Sequence, residues 1–423
     1  MRRKDIPLSL DSRSRFLTLA LLAFFSFFLQ ACGAGSYPEY NRVNVTTAQG
    51  NPNALDAGGN VPLPAEGGNV RVAILLPLSG KHAALGDSML KSAQMALFDL
   101  GYERFELIPK DTGGTESGGK MAAQQALQDG AQLVLGPVFA DAVRGAQSGL
   151  AGSNVNMIAF STDWTLARND TYLIGFLPFD QVSRVVQYAR VKGINRFGVL
   201  APDDTYGNAA VNAYQQTEKQ AGISGTRVER FSPRAADLSI IIRNFTDFDK
   251  RQAMNDSLGT PFDAVLIPAG GNLASTIGRT LNSYNLPPSQ VRRLGTGLMD
   301  DPRLAADPAL AGTWFAAPPP RLRADFENRY RRYYGEQPQR IASLAYDATA
   351  LAATLSRMSL QRNGTIDFTR NALMNPNGFA GVDGIFRFRK DNIAERGLAV
   401  LEFRNGTIVE IDPAPRTFQT RTQ

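Results

Sequence analysis

The feature that most constrains this chain is an alternation that runs through it twice. Continuous apolar runs of strand length trade places with longer segments of helical spacing. The first pass reads RVAILLP (71–77), LGDSMLKSAQMALFDLG (85–101), RFELIPKD (104–111), GGKMAAQQALQDG (118–130), AQLVLGP (131–137), ADAVRGAQSGLAG (140–152) and NVNMIAFS (154–161). Apolar runs without polar alternation are strands buried on both faces. Joined through helices, they build right-handed βαβ units and a parallel sheet. After YLIGFLPFD (172–180) the alternation restarts with helices predicted over 181–193, 207–222, 237–254 and 272–285, and strands over 195–204, 225–232, 262–270 and 291–300. Two more helical segments follow, 316–335 and 341–358. The end reads as short antiparallel strands with a turn at Asn405-Gly406.

The expected fold class is α/β: two doubly wound parallel-sheet lobes around a cleft, with short antiparallel C-terminal strands. Parallel sheets bind ligands at the carboxyl ends of their strands. Two facing lobes would present those edges across one gap. The candidate contacts are then Ser79 and Gly80, Gly136 and Phe139, Ser161, Thr162 and Asp163, Tyr206, Gly270 and Asn272, and Leu298.

The first 31 residues form a different kind of segment. Arg2, Arg3, Lys4, Arg13 and Arg15 precede an almost wholly apolar stretch from Phe16 to Leu29. That stretch is shorter than the ~20 residues a membrane span needs and fits an export signal. Leu29-Gln30-Ala31-Cys32 resembles a bacterial lipobox, and Cys32 is the only cysteine in the chain. The resemblance implies lipidation of Cys32, a membrane anchor and a periplasmic protein. Gly33 in the next position favours the outer membrane over the inner one. Residues 32–69 read as a disordered tether, rich in Gly, Pro, Asn and Ala. The net charge of +6 falls to +3 once the leader's five basic and two acidic residues are set aside. That balance, with no basic block interleaved with aromatics, argues against nucleic acid as a partner.

Catalytic patterns are weak. GGTESGGK (113–120) nearly spaces a phosphate loop, but Met121 stands where Mg²⁺ binding requires Ser or Thr, so a loop and helix start is the better reading. His82 is the single histidine and lies in no nucleophile elbow. With one His and the Cys taken by the anchor, thiolate or imidazole metal clusters are excluded and no cofactor is expected. RLRADFENRYRRYY (321–334) is expected to pack Phe326, Tyr330 and Tyr333 on one face, leaving a solvated basic side.

Four motifs in order, VAILLPLSG with LGDSMLKSAQMAL, LVLGPVFADAV, DDTYGNAAVNAY and GVDGIFRFRKDN, are similar to those of the type I periplasmic binding proteins, the branched-chain amino-acid receptor family. Within it, DGAQLVLGPVFADAV, FDAVLIPAGGNLASTI and the polar insertion KRQAMNDSLGTP resemble the C-terminal domain of lipoprotein activators of penicillin-binding proteins. The resemblance implies lobe 1 over 70–178 plus 318–378, lobe 2 over 179–317 plus 379–412, and a polar tail over 413–423. It also implies a non-enzymatic role, with two readings. One is an activator docked on a penicillin-binding protein. The other is a substrate-binding lipoprotein handing amino acids or small polar solutes to an ABC permease. The receptors hold a carboxylate with serines where this chain has Pro137 to Ala140, and an ammonium with an acid near where it has Leu298. A cleft that does not take a free α-amino acid in the usual way is therefore expected. Ser79, Ser161, Thr162 and Tyr206 remain contacts for some polar ligand. Alternatively, the two serines cap helices and the tyrosine packs at the mouth.

Overall fold

The computed structural model describes residues 69–418, apart from residues 169, 223, 236 and 256. The leader, Cys32 and the tether as far as residue 68 lie outside the described residues. Among the described residues the strands form three sheets.

Lobe 1 is built on β1 (Val70–Leu76), β2 (Phe105–Asp111), β3 (Leu133–Leu135), β4 (Asn156–Ala159) and β5 (Thr171–Leu173), all parallel, in the order β2-β1-β3-β4-β5. The apolar run of β1 serves two cores. Val72, Ile74 and Leu76 face one, with Met89 and Ala93 of helix α1 (Ala83–Leu100). Ala73 and Leu75 face the other, with Ala122 and Ala126 of α2 (Glu116–Gln128) and Val143 and Ala146 of α3 (Ala140–Leu150). This is why the strand shows no polar alternation.

The glycines of the phosphate-loop look-alike have a packing purpose. Thr115 caps α2 by accepting the Gly118 N–H at 3.1 Å. A Cβ on Gly119 would lie 2.1 Å from the Ala142 carbonyl oxygen, and one on Gly145 would lie 1.9 Å from that of Glu116. The two helices therefore cross backbone to backbone.

Lobe 2 holds α4 (Pro178–Val191), β6 (Phe197–Pro202), α5 (Thr205–Ala221), β7 (Arg227–Phe231), α6 (Ser239–Phe245), α7 (Phe248–Ala253), β8 (Ala264–Ile267), α8 (Gly271–Ser283), β9 (Arg292–Gly295), α9 (Pro302–Ala305) and β10 (Trp314–Ala317). Its sheet runs β15-β14-β10-β9-β8-β6-β7. At one end of it β14 (Ala399–Arg404) pairs antiparallel with both β10 and the edge strand β15 (Thr407–Asp412), turning at Asn405-Gly406 as the sequence suggests. The single helix expected over 237–254 is two helices, because Asp247 takes a left-handed conformation with φ of 49°.

The chain then returns to lobe 1 with α10 (Pro320–Tyr334), α11 (Ala342–Asn363) and α12 (Arg370–Leu373). It also brings the small antiparallel sheet β11 (Phe379–Gly381), β12 (Gly384–Phe388) and β13 (Ala394–Arg396). Here the assignment of 379–412 to lobe 2 needs correction. Phe379, Phe386, Phe388 and Ala394 share the lobe 1 core with Val72 and Leu344, so only β14 and β15 return to lobe 2. The chain thus crosses between lobes near residues 174–177, 318–319 and 397–398. The aromatic face of α10 is also narrower than its spacing suggests. Phe326 and Tyr330 are buried, while Tyr333 is exposed and stacks on Phe98 at 6.4 Å.

Candidate ligand cleft between the lobes

A cavity of about 440 Å³ opens between the lobes, within the size range of small-molecule sites. Lobe 1 contributes Val138 and Phe139 from the loop after β3, and Phe160 and Thr162 from the loop after β4. Phe176 follows β5, and Arg340, Ile341 and Leu344 come from the turn and start of α11. Lobe 2 supplies Gln181 of α4, Tyr206 of α5, and Gly297 and Leu298 from the turn after β9, and Pro318 lies at the second crossing. The lobe 1 loops and the turn after β9 leave the carboxyl ends of their strands. A larger, polar hollow of about 610 Å³ is lined by Gly259, Thr260, Pro287 and Gln290. Those residues precede β8 and β9, at the opposite edge of the sheet from where parallel sheets bind ligands.

The wall is mostly aromatic and aliphatic, with a few fixed polar groups. Gln181, 3% exposed, accepts the Gly297 N–H at 2.7 Å and the Tyr206 O–H at 3.0 Å, both on Oε1. That pins the amide and leaves Nε2 without a partner among the described residues. Burial pushes the Tyr206 hydroxyl well above its ordinary range, so it stays neutral. Arg340 lies 4.9 Å from the Phe176 ring centroid and donates from Nη2 to Asp300 Oδ2 at 2.9 Å. Arg323 of α10 donates to the same oxygen at 2.6 Å. Asp300 belongs to lobe 2 and both arginines to lobe 1, so this ionic knot spans the cleft. The buried Arg396 lies 4.8 Å from the centroid of the same ring and donates to the Ile174 carbonyl at 2.7 Å. Burial, with the nearby charge of Asp383, raises the carboxyl of the adjoining Asp347. Burial also pushes Asp180 up to about 6, against the opposing charge of Arg389.

Of the residues expected at the cleft, Phe139, Thr162, Tyr206 and Leu298 line this cavity. Ser79 and Gly80 are exposed at the turn after β1, where the Ser79 N–H donates to Asp111. Gly136 is buried under the cleft floor, where a Cβ would meet the Leu75 carbonyl at 2.2 Å. The buried Ser161 hydroxyl accepts the Asp163 N–H at 3.1 Å, a local turn bond and not a helix cap. Asp163 is engaged by Thr165 and lies 3.5 Å from Arg144. Gly270 packs against the Leu298 backbone, and Asn272 is exposed on α8. Sequence reasoning missed Gln181, Phe176 and Arg340. Among the described residues no group of His, Cys, Asp and Glu side chains is gathered that could hold a metal ion.

The molecule is similar to several solved receptors. A putative branched-chain amino acid ABC transporter protein from Rhodospirillum rubrum shares 17% identity at a TM-score of 0.68, covering 81% of this chain and 100% of that one. A solute-binding protein of an ABC transporter from Rhodopseudomonas palustris, in complex with 3,4-dihydroxybenzoic acid, shares 17% identity at a TM-score of 0.57, covering 83% and 97%. At such identities these show a common fold. By sequence, the Leu/Ile/Val-binding protein BraC3 of Rhizobium johnstonii is 24% identical over 189 residues, 42% of this chain and 52% of the relative, so the match spans about half of that protein. The profile of the periplasmic binding protein family matches residues 69–407, and with two lobes meeting at an aromatic cleft the chain belongs to that family.

Proposed function

We propose that the protein is an extracytoplasmic solute receptor that captures a small molecule between its lobes and presents it to an ABC permease. One observation carries this reading: a cavity of about 440 Å³ walled from both lobes, with fixed polar groups in an apolar lining. Family membership supports an extracytoplasmic location and a non-enzymatic role. The relatives named above are transport receptors, which favours this reading over docking on a penicillin-binding protein. Lipidation at Cys32 belongs to the proposal as its anchor, and the mass of the N-terminal peptide from the native host tests it.

The receptor role is tested by thermal-shift screening of the purified protein against amino acids, organic acids and amides, followed by calorimetry on the hits. Saturable binding of one class at micromolar concentration is the expected result. Failure of every class, together with recovery of a penicillin-binding protein from envelope extracts, would reverse the preference.

A further inference from the structure

We propose that the cleft selects small monocarboxylates with an apolar, ring-sized body and rejects free α-amino acids, with Arg340 and Gln181 Nε2 receiving the carboxylate from opposite lobes. This rests on the receptor reading above and names its ligand class.

Three observations converge. The first is charge. Arg340 is the only ionised side chain among the residues lining the cavity, and no acid lines it. The nearest acid in the ionic knot, Asp300, is shared by Arg323 and Arg340 at 2.6 and 2.9 Å, and Arg323 also holds Glu327 at 2.7 Å, so neither acid is left over for a ligand. An ammonium placed here has no counter-charge, and burial without one is strongly disfavoured.

The second is donor supply. Arg340 spends Nη2 on Asp300, while Nε and Nη1 have no hydrogen-bond partner among the described residues. Gln181 cannot turn its amide without stranding the Gly297 N–H and the Tyr206 O–H, so the cleft receives its N–H₂ end and not its oxygen. One guanidinium and one amide N–H₂ form an acceptor-seeking pair suited to a carboxylate.

The third is the wall. Phe139, Phe160, Phe176, Leu298, Ile341 and Leu344 make a lining that matches a flat apolar body. Because one donor comes from each lobe, a bound carboxylate ties the lobes together.

The test is calorimetry on the purified protein with matched pairs: 3-phenylpropionate against phenylalanine, 4-methylvalerate against leucine, and 4-hydroxybenzoate against 4-hydroxybenzamide. Each free acid is expected to bind about tenfold or more tightly than its partner, with affinity falling as salt rises. Arg340→Gln is expected to remove that preference, and Arg340→Lys to restore part of it. Gln181→Glu keeps an acceptor for Gly297 and Tyr206 but puts a negative charge at the site. It is expected to lose 3-phenylpropionate and to gain phenethylamine. Thermal midpoints confirm that each variant is folded. If phenylalanine or leucine binds as tightly as its des-amino partner, the ligand class is wrong and the receptor reading stands. If no member of the panel binds, the ligand class falls, and the broader screen described above decides the receptor reading.

Discussion

Replacing Gln181 by leucine separates its structural contribution from its contact with ligand. The substitution keeps the volume and removes the acceptor. Gln181 is 3% exposed, and its Oε1 holds the Gly297 N–H at 2.7 Å and the Tyr206 O–H at 3.0 Å. A buried donor left without a partner costs about 1–3 kcal/mol. The Gly297 N–H has no alternative among the described residues, but it is half-buried at the cleft wall within reach of water, so its loss belongs at the lower end. The Tyr206 hydroxyl also lies near Thr296, so its loss belongs at the lower end. The expected destabilisation is therefore about 2 kcal/mol. Urea unfolding of the apo protein, followed by far-UV circular dichroism, measures it. In a Tyr206→Phe background the phenolic donor is gone, and the cost of Gln181→Leu is expected to shrink by about 1 kcal/mol. Gln181→Glu retains the acceptor, so whatever it loses reports the desolvation of the new carboxylate and not a stranded donor. A loss below about 1 kcal/mol for Gln181→Leu, or an unchanged cost in the Tyr206→Phe background, would refute the claim that this amide organises the turn carrying Leu298.

Other perturbations read other parts of the molecule. Gly119→Ala places a methyl 2.1 Å from the Ala142 carbonyl oxygen and is expected to cost about 3 kcal/mol or more in the same urea assay. Asp300→Ala removes the shared acceptor of Arg323 and Arg340; since those guanidiniums are 24% and 31% exposed, the loss is expected near ~2 kcal/mol, below that of a fully buried pair. A larger radius of gyration by small-angle X-ray scattering would report the freed lobes. Asp180, pushed up to about 6 by burial, keeps its proton in the folded state where the unfolded chain has lost it, so it makes stability fall as pH rises from about 4 to about 6. Asp180→Asn is expected to flatten that slope by up to about 1.4 kcal/mol per pH unit, read from urea midpoints across the window.

The parts of this fold legible in the sequence are those set by local pattern. A two-faced strand such as β1 must read as an unbroken apolar run, and a helix closed by Gly101, in the left-handed region at φ of 54°, announces its own end. The edge of the sheet is equally legible, because loops that leave strand ends must line it; Phe139, Thr162 and Leu298 are recognisable that way. Arg340 and Gln181 sit on no strand end. One precedes a long helix and the other lies inside one, and only the approach of two lobes gives them a common purpose. Phe379, Phe386 and Phe388 alternate as any half-buried hairpin would, so their spacing shows that they are covered and not which lobe covers them. Tyr333 has helical spacing with Tyr330, but what it meets on α1 is Phe98, itself exposed, so the stacked pair stays in solvent.

The triple crossing also bears on how the molecule is made. Val72, near the amino end, shares a core with Phe379 and Phe386, which leave the ribosome long after it. Lobe 1 cannot be completed until those residues have emerged, and β1 must wait with unmatched apolar surface. Such non-local pairing is slow and exposes the newborn polypeptide to clumping. A protein with this threading carries that exposure until its late strands arrive, whereas lobe 2 lacks only β14 and β15 when the chain returns to lobe 1.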